Sequence, residues 1–131
     1  LFAAHFDARL RAALSRLGSP QDVTARLRSV FEEALAGHRL GDVSVESAAL
    51  QLQVAPRSLQ RALRRKGTGF RDELAAFRRA EAERMLQDGA DIAEVSWRLG
   101  YAEPSVFHRA FKRWTGLSPE AWRAVSTESG G

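Results

Sequence analysis

Leu59-Gln60-Arg61-Ala62-Leu63-Arg64-Arg65 and Phe107-His108-Arg109-Ala110-Phe111-Lys112-Arg113 lie 48 residues apart and share one pattern, apolar-x-Arg-Ala-apolar-basic-Arg. The match continues upstream with Ala48 against Val95, Leu52 against Leu99 and Val54 against Tyr101, shifted by one residue because the second turn is longer. Repetition of this kind means that one supersecondary unit occurs twice. Each copy reads as helix, tight turn, helix. Where the second helix of such a unit crosses the first, the first needs a small side chain, met by Ala49 and Ser96, and the turn favours glycine because its backbone needs a positive φ. Gly100 meets that need. Gln53 in the equivalent place does not, at an expected cost on the order of 1 kcal/mol if its φ is positive.

Working outward from the repeat, Ser44 has the residue type of an N-cap, with Glu46 and Ser47 in the first turn and Ala48, Ala49 and Leu52 as the apolar face of a short helix. Pro56 opens the next helix, where a missing N–H costs nothing, and Leu59, Ala62 and Leu63 point inward. Gly67-Thr68-Gly69 ends it. The longest uninterrupted pattern follows from Phe70 to Leu86, with Phe70, Leu74, Phe77, Ala82, Met85 and Leu86 apolar, a span of roughly 25 Å at helical rise. After Asp88-Gly89 the layout restarts: Asp91 as cap, Ile92, Val95 and Leu99 inward, the Gly100-Tyr101-Ala102 turn, and a helix from about Pro104 to Trp114. Ser118 and Pro119 open a last short helix holding Trp122; Trp114 and Trp122 are expected in the core.

Upstream of the repeat, Val23, Leu27, Val30, Phe31 and Leu35 form the stripe of a helix from about Asp22 to Ala36, stopped by Gly37. Phe2, Phe6, Leu10, Leu14 and Leu17 form an earlier one, ended at Gly18-Ser19-Pro20; its stripe suits either a dimerisation seam or docking on its own domain. The expected division is a terminal helix over 1–20, a first helix-turn-helix subdomain over 21–69, a linker helix over 70–87, a second subdomain over 88–126 and a frayed tail over 127–131.

Composition supports this all-α reading and narrows the function. In 131 residues with 44% hydrophobic content there is enough apolar material for a core, while β-branched residues are sparse and never run together. The absence of cysteine excludes disulfides, thiolate metal sites and a cysteine nucleophile, and suits a reducing cytosol. No apolar run reaches the length of a membrane span. His5, His38 and His108 lack the spacing of a metal site, and no nucleophile elbow or Gly-rich phosphate loop frames the Ser, His and Asp residues, so neither a cofactor, a metal nor catalysis is expected. The net charge of +4 says less than the uneven placement of the arginines.

Pro56-Arg-Ser-Leu-Gln-Arg, the Gly67-Thr68-Gly69-Phe70 junction, Ile92-Ala-Glu-Val with Leu99-Gly-Tyr, and Pro104-Ser-Val-Phe-His-Arg-Ala-Phe-Lys-Arg-Trp-Thr-Gly-Leu-Ser-Pro together resemble the AraC/XylS family of transcription regulators. The resemblance covers about Asp22 to Val125. It implies a seven-helix domain in which the Phe70–Leu86 helix links two helix-turn-helix units. It also implies residues 1–20 as the tail of an N-terminal domain that senses a small-molecule effector, and transcription activation through contact with RNA polymerase in the cytoplasm, at the nucleoid. The fragment is expected to be monomeric, with a dimer open for the longer protein.

The expected partner is double-stranded DNA, met by the outward side chains of the second helix of each unit. In the first unit these include Arg57, Gln60 and Arg61; arginine pairs bidentately with guanine and glutamine with adenine, each such contact discriminating by about 1–3 kcal/mol. All three match family positions that face bases. In the second unit Ser105, His108 and Arg109 hold the like positions, with Val106 able to touch a thymine methyl. Arg64, Arg65, Lys66, Lys112 and Arg113, the hydroxyl of Thr68, and the helix N-termini near Ser44 and Asp91 are suited to phosphates, which orient without reading sequence. A basic helix face is more commonly only solvated, and Arg61 and Arg109 have the alternative of pairing with local carboxylates. A helical module that binds an acidic protein is the rival reading. The repetition of outward Arg and Gln at matched positions favours DNA.

Overall fold

The computed structural model describes residues 20–130, so the helix expected over residues 1–20 and its apolar stripe lie outside the described residues but for Pro20. Seven α-helices and no strand occur among the described residues: α1 (Pro20–Ala36), α2 (Val45–Leu52), α3 (Pro56–Arg65), α4 (Phe70–Gln87), α5 (Ile92–Arg98), α6 (Pro104–Thr115) and α7 (Pro119–Gly130), with a 3₁₀ turn at Leu40–Asp42 between α1 and α2. Packing divides the described residues into two compact units: one holds Pro20–Ala34 together with Val43–Leu74, the other Leu35–Asp42 with Ala75–Gly130. Boundaries fall inside α4 and near the end of α1, so each of these helices contributes residues to both.

In the first unit α2 packs on α3. Val23, Leu27, Val30 and Phe31 of α1, Ala48 and Ala49 of α2, and Leu59 and Leu63 of α3 are all buried, and the Phe31 ring meets the edge of Phe70 at 5.6 Å. Ser44 caps α2 in a reciprocal box: its hydroxyl accepts from Ser47 N at 3.1 Å, and its own N–H donates to Ser47 Oγ at 2.9 Å. At the other end of α2, Gln53 does adopt the left-handed conformation, φ 61°.

In the second unit α5 packs on α6 and α6 on α7. Met85 and Leu86 of α4, Val95 of α5, and Phe107 and Phe111 of α6 are buried. The edge of Phe111 meets Trp122 at 5.8 Å and Trp114 at 6.3 Å. Both tryptophans remain half-buried, short of the core positions that their size suggested. All three tryptophans, Trp97, Trp114 and Trp122, and the single tyrosine, Tyr101, belong to this unit. Asp91 stands at the N-cap of α5 but its side chain makes no capping bond, whereas Ser118 caps α7 by accepting from Ala121 N at 3.1 Å. α7 continues to Gly130, through the stretch expected to fray; Thr127 Oγ1 donates back to Arg123 O at 2.8 Å within it.

The two turns are built alike. Val54 N donates to Ala49 O and Gln53 N to Leu50 O; 47 residues on, Tyr101 N donates to Ser96 O and Gly100 N to Trp97 O. This paired closure is what a left-handed residue at a helix C-terminus makes possible. Ala49 and Ser96, the small residues expected beneath the crossing helix, are buried.

A contact absent from the sequence pattern reinforces the second turn. The segment Leu35–Asp42 folds onto this unit with Leu40 buried, and Gly41 lies against the backbone of Gly100. His38, at φ 56°, stacks its ring on Trp97 at 4.8 Å. The left-handed residue after α1 is thus His38 rather than Gly37, which the sequence suggested as the stop.

Candidate nucleic-acid interface

α3 begins with Pro56 at its first position and buries Leu59 and Leu63, which turns Arg57, Gln60, Arg61 and Arg64 to the opposite side, where all four are exposed. Their spacing of three, four and seven residues places them in one stripe. α6 repeats the arrangement with Pro104 first and Phe107, Ala110 and Phe111 buried; Ser105, Val106, Arg109, Lys112 and Arg113 are exposed. Every base-reading candidate named from the sequence therefore stands on the outer side of its helix except His108, which is half-buried. His108 Nε2 lies 3.5 Å from a carboxylate oxygen of Glu120 in α7, so it has a protein partner that the sequence did not suggest.

The charge on these faces is not neutralised from within. α3 and α6 contain no acidic residue, and none of Arg57, Arg61, Arg64, Arg109 or Arg113 is ion-paired with a carboxylate among the described residues. Two arginines of α4 behave differently: Arg79 pairs with Glu83, and Arg84 with Glu81 at 2.6 Å and Asp88 at 3.6 Å, each within about one helical turn. The alternative in which Arg61 and Arg109 serve local carboxylates finds no carboxylate in place among the described residues.

The phosphate candidates divide. Arg65, Lys66, Lys112 and Arg113 are exposed at the C-terminal ends of α3 and α6, where a cation is also favoured by the helix dipole. Ser44 and Thr68 are half-buried and already engaged, Ser44 in its capping box and Thr68 Oγ1 donating to Glu73 Oε2 at 3.4 Å. Between α3 and the start of α4 lies a shallow cleft of about 390 Å³ lined by Gln60, Arg64, Thr68, Gly69, Phe70, Arg71 and Asp72. Arg71 was missed in the sequence. A signal existed: it is a cation in the first turn of a helix, where the dipole disfavours it and where Asp72 and Glu73 are the expected types.

Two apolar side chains also went unread. Leu50 is 80% exposed and Trp97 62% exposed, at matched positions of the first helix of each unit. Burial pushes the Tyr101 phenol above its usual range, and the charges of Arg78 and Arg113 offset part of that rise. No cluster of metal-ligating side chains occurs among the described residues, and no described helix is long and apolar enough to cross a membrane.

A sequence model described as a helix-turn-helix domain matches residues 48–124. Over 114 residues the chain is 39% identical to the HTH-type transcriptional regulator VirS of Mycobacterium tuberculosis, a match covering 85% of this chain and 33% of VirS. The chain thus spans about a third of the length of the curated relatives it matches. Among solved structures it is similar to the DNA-binding domain of AdpA, a global transcriptional factor in complex with a target DNA, at 30% identity and a TM-score of 0.62, covering 76% of this chain and 90% of that one. Its fold also matches that of a DNA-binding transcriptional dual regulator from Escherichia coli K-12 at 22% identity and a TM-score of 0.72, covering 81% of this chain and 93% of that one. These are regulators and not enzymes, and the chain, with its two helix-turn-helix units, belongs to the AraC/XylS family of DNA-binding transcription regulators.

Proposed function

We propose that α3 and α6 are recognition helices that enter successive major grooves of one duplex, α3 reading bases with Arg57, Gln60 and Arg61, and α6 with Ser105, Val106, His108 and Arg109. The observation that carries this reading is the un-neutralised basic stripe on α3, repeated on α6, whereas Arg79 and Arg84 of the linker helix are paired with carboxylates of their own helix. Cations left without carboxylate partners on a helix exposed at one side are suited to a polyanion, and planar Arg and Gln groups among them to base edges. Arg64, Arg65, Lys66, Lys112 and Arg113 neutralise phosphates, joined by Arg71 at the cleft. Ser44 and Thr68 play a smaller part, since their hydroxyls already have partners.

α6 carries fewer charged readers than α3, so sequence preference rests more heavily on the first unit. His108 reads a base only when it leaves Glu120. The domains are proposed to follow the boundaries expected from the sequence, with DNA binding in residues 21–126. The whole protein works as an activator through RNA polymerase, under an effector held by a preceding domain, at the nucleoid.

Selection of binding sites from a random duplex pool, followed by affinity over a salt series, tests this. Two enriched blocks about one helical turn apart, bound more tightly than a scrambled duplex at every salt, are the expected result. Equal, weak binding of both duplexes that vanishes as salt rises would return the stripe to an acidic protein partner.

A further inference from the structure

Arg78, on the part of α4 that belongs to the second unit, is absent from the DNA-facing set and from the ion pairs of its helix. Its Nε donates to the carbonyl of Leu99 at 3.1 Å, and its guanidinium lies 5.0 Å from the centre of the Tyr101 ring. Those two residues flank Gly100, the left-handed pivot of the turn between α5 and α6.

The partner is chemically apt. Carbonyls at the end of a helix lack intrahelical donors. The Ser96 and Trp97 carbonyls are satisfied by the turn itself; the Leu99 carbonyl is met by a charge-assisted donor from α4. Tyr101 in turn packs its ring on Phe107 at 5.6 Å, and Phe107 is fully buried at the base of α6, next to His108 and Arg109. A continuous path runs from Arg78 through both sides of the turn to the root of the recognition helix. The first unit has no such clamp: no side chain among the described residues donates to the Leu52 carbonyl, and three residues separate α2 from α3 where five separate α5 from α6.

We infer that Arg78 is a positioning residue for base recognition by α6, fixing the longer second turn so that the helix meets DNA at one angle. This rests on the reading of α6 as a base-reading helix. A loose α6 would still present Lys112 and Arg113 to phosphate, so the loss should fall on sequence preference in one block rather than on affinity as a whole.

The test uses the 131-residue chain with Arg78→Met, which removes donor and charge, and Arg78→Lys, which keeps the cation over Tyr101 without the planar Nε donor. Val95→Ala serves as a control that weakens the same unit's core without touching the clamp. In amide NMR spectra of the free chain, Arg78→Met should shift Leu99–Arg109 and leave α2 and α3 in place. In duplex selection, well below the unfolding temperature, it should keep the block read by α3 and lose about tenfold or more of the preference in the other. Arg78→Lys should fall between, and Val95→Ala should keep both blocks. Unmoved amides in residues 99–109 would overturn the inference even if the chain bound no DNA, an outcome that would separately defeat the proposed function. Retention of both blocks by Arg78→Met, with only a lower unfolding temperature, would overturn it too.

Discussion

Gly41 and Gly100 lie backbone against backbone: a Cβ on Gly100 would stand 2.6 Å from the Cα and N of Gly41, and one on Gly41 would stand 3.1 Å from the Gly100 carbonyl oxygen. Gly100 also holds φ +90°, so alanine there meets both backbone strain and collision. Gly100→Ala is expected to destabilise the chain by about 3 kcal/mol or more, and Gly41→Ala by about 1 kcal/mol, in urea unfolding. Equal costs for the two would show that the approach is looser than described.

The equivalent pivot in the first unit carries a side chain. Gln53 sits at φ 61° with its helix-closing bonds intact, so Gln53→Gly removes strain without altering the turn. A gain of about 1 kcal/mol is expected, with duplex preference unchanged. A loss of stability would mean that the Gln53 side chain contributes more than its backbone costs.

Ser96 is buried beneath α6, and its hydroxyl has no hydrogen-bond partner. Ser96→Ala should therefore be neutral or stabilise by up to about 1 kcal/mol, because a desolvated donor disappears and the size needed at the crossing is kept. Ser96→Leu, by overfilling the crossing, should cost about 2 kcal/mol. Thermal unfolding of the two variants side by side decides; an alanine variant much weaker than the parent would reveal a bond that the hydroxyl makes in solution.

Arg57 and Arg61 should separate from Lys66 and Arg71 by the kind of loss they cause. Alanine at either of the first pair is expected to relax preference at one position of the selected site by about 1–3 kcal/mol. Alanine at either of the second pair should weaken all duplexes alike and reduce the slope of log affinity against log salt by about 1. A uniform loss from Arg57→Ala would move that residue to the phosphate set.

The helices and the outward stripes were legible because both follow from local rules: Pro56 and Pro104 mark helix starts, and Leu59 with Leu63, or Phe107 with Phe111, leaves only one side for the arginines. The repeat carried that reading further than either copy could alone. What stayed hidden depends on residues distant in the chain. Nothing near Gly41 announces Gly100, His38 gives no sign of Trp97, and Arg78 looks like any arginine of a charged helix until the Leu99 carbonyl is found beneath it. His108 was read by its repeat position, and its neighbour Glu120 stands on α7, outside the segment whose repetition guided the reading. The capping role given to Asp91 came from residue type alone, and its carboxylate makes no such bond.

The placement of Trp97, Trp114, Trp122 and Tyr101 gives this chain an uneven optical signature. Light absorbed near 280 nm is taken up almost wholly by one of the two units, so intrinsic fluorescence follows the melting of that unit and is blind to its neighbour. Circular dichroism in the far ultraviolet weighs the helices of both. Superimposable transitions from the two signals would mean that the halves unfold together, and a displaced fluorescence curve would report the tryptophan-bearing half melting on its own.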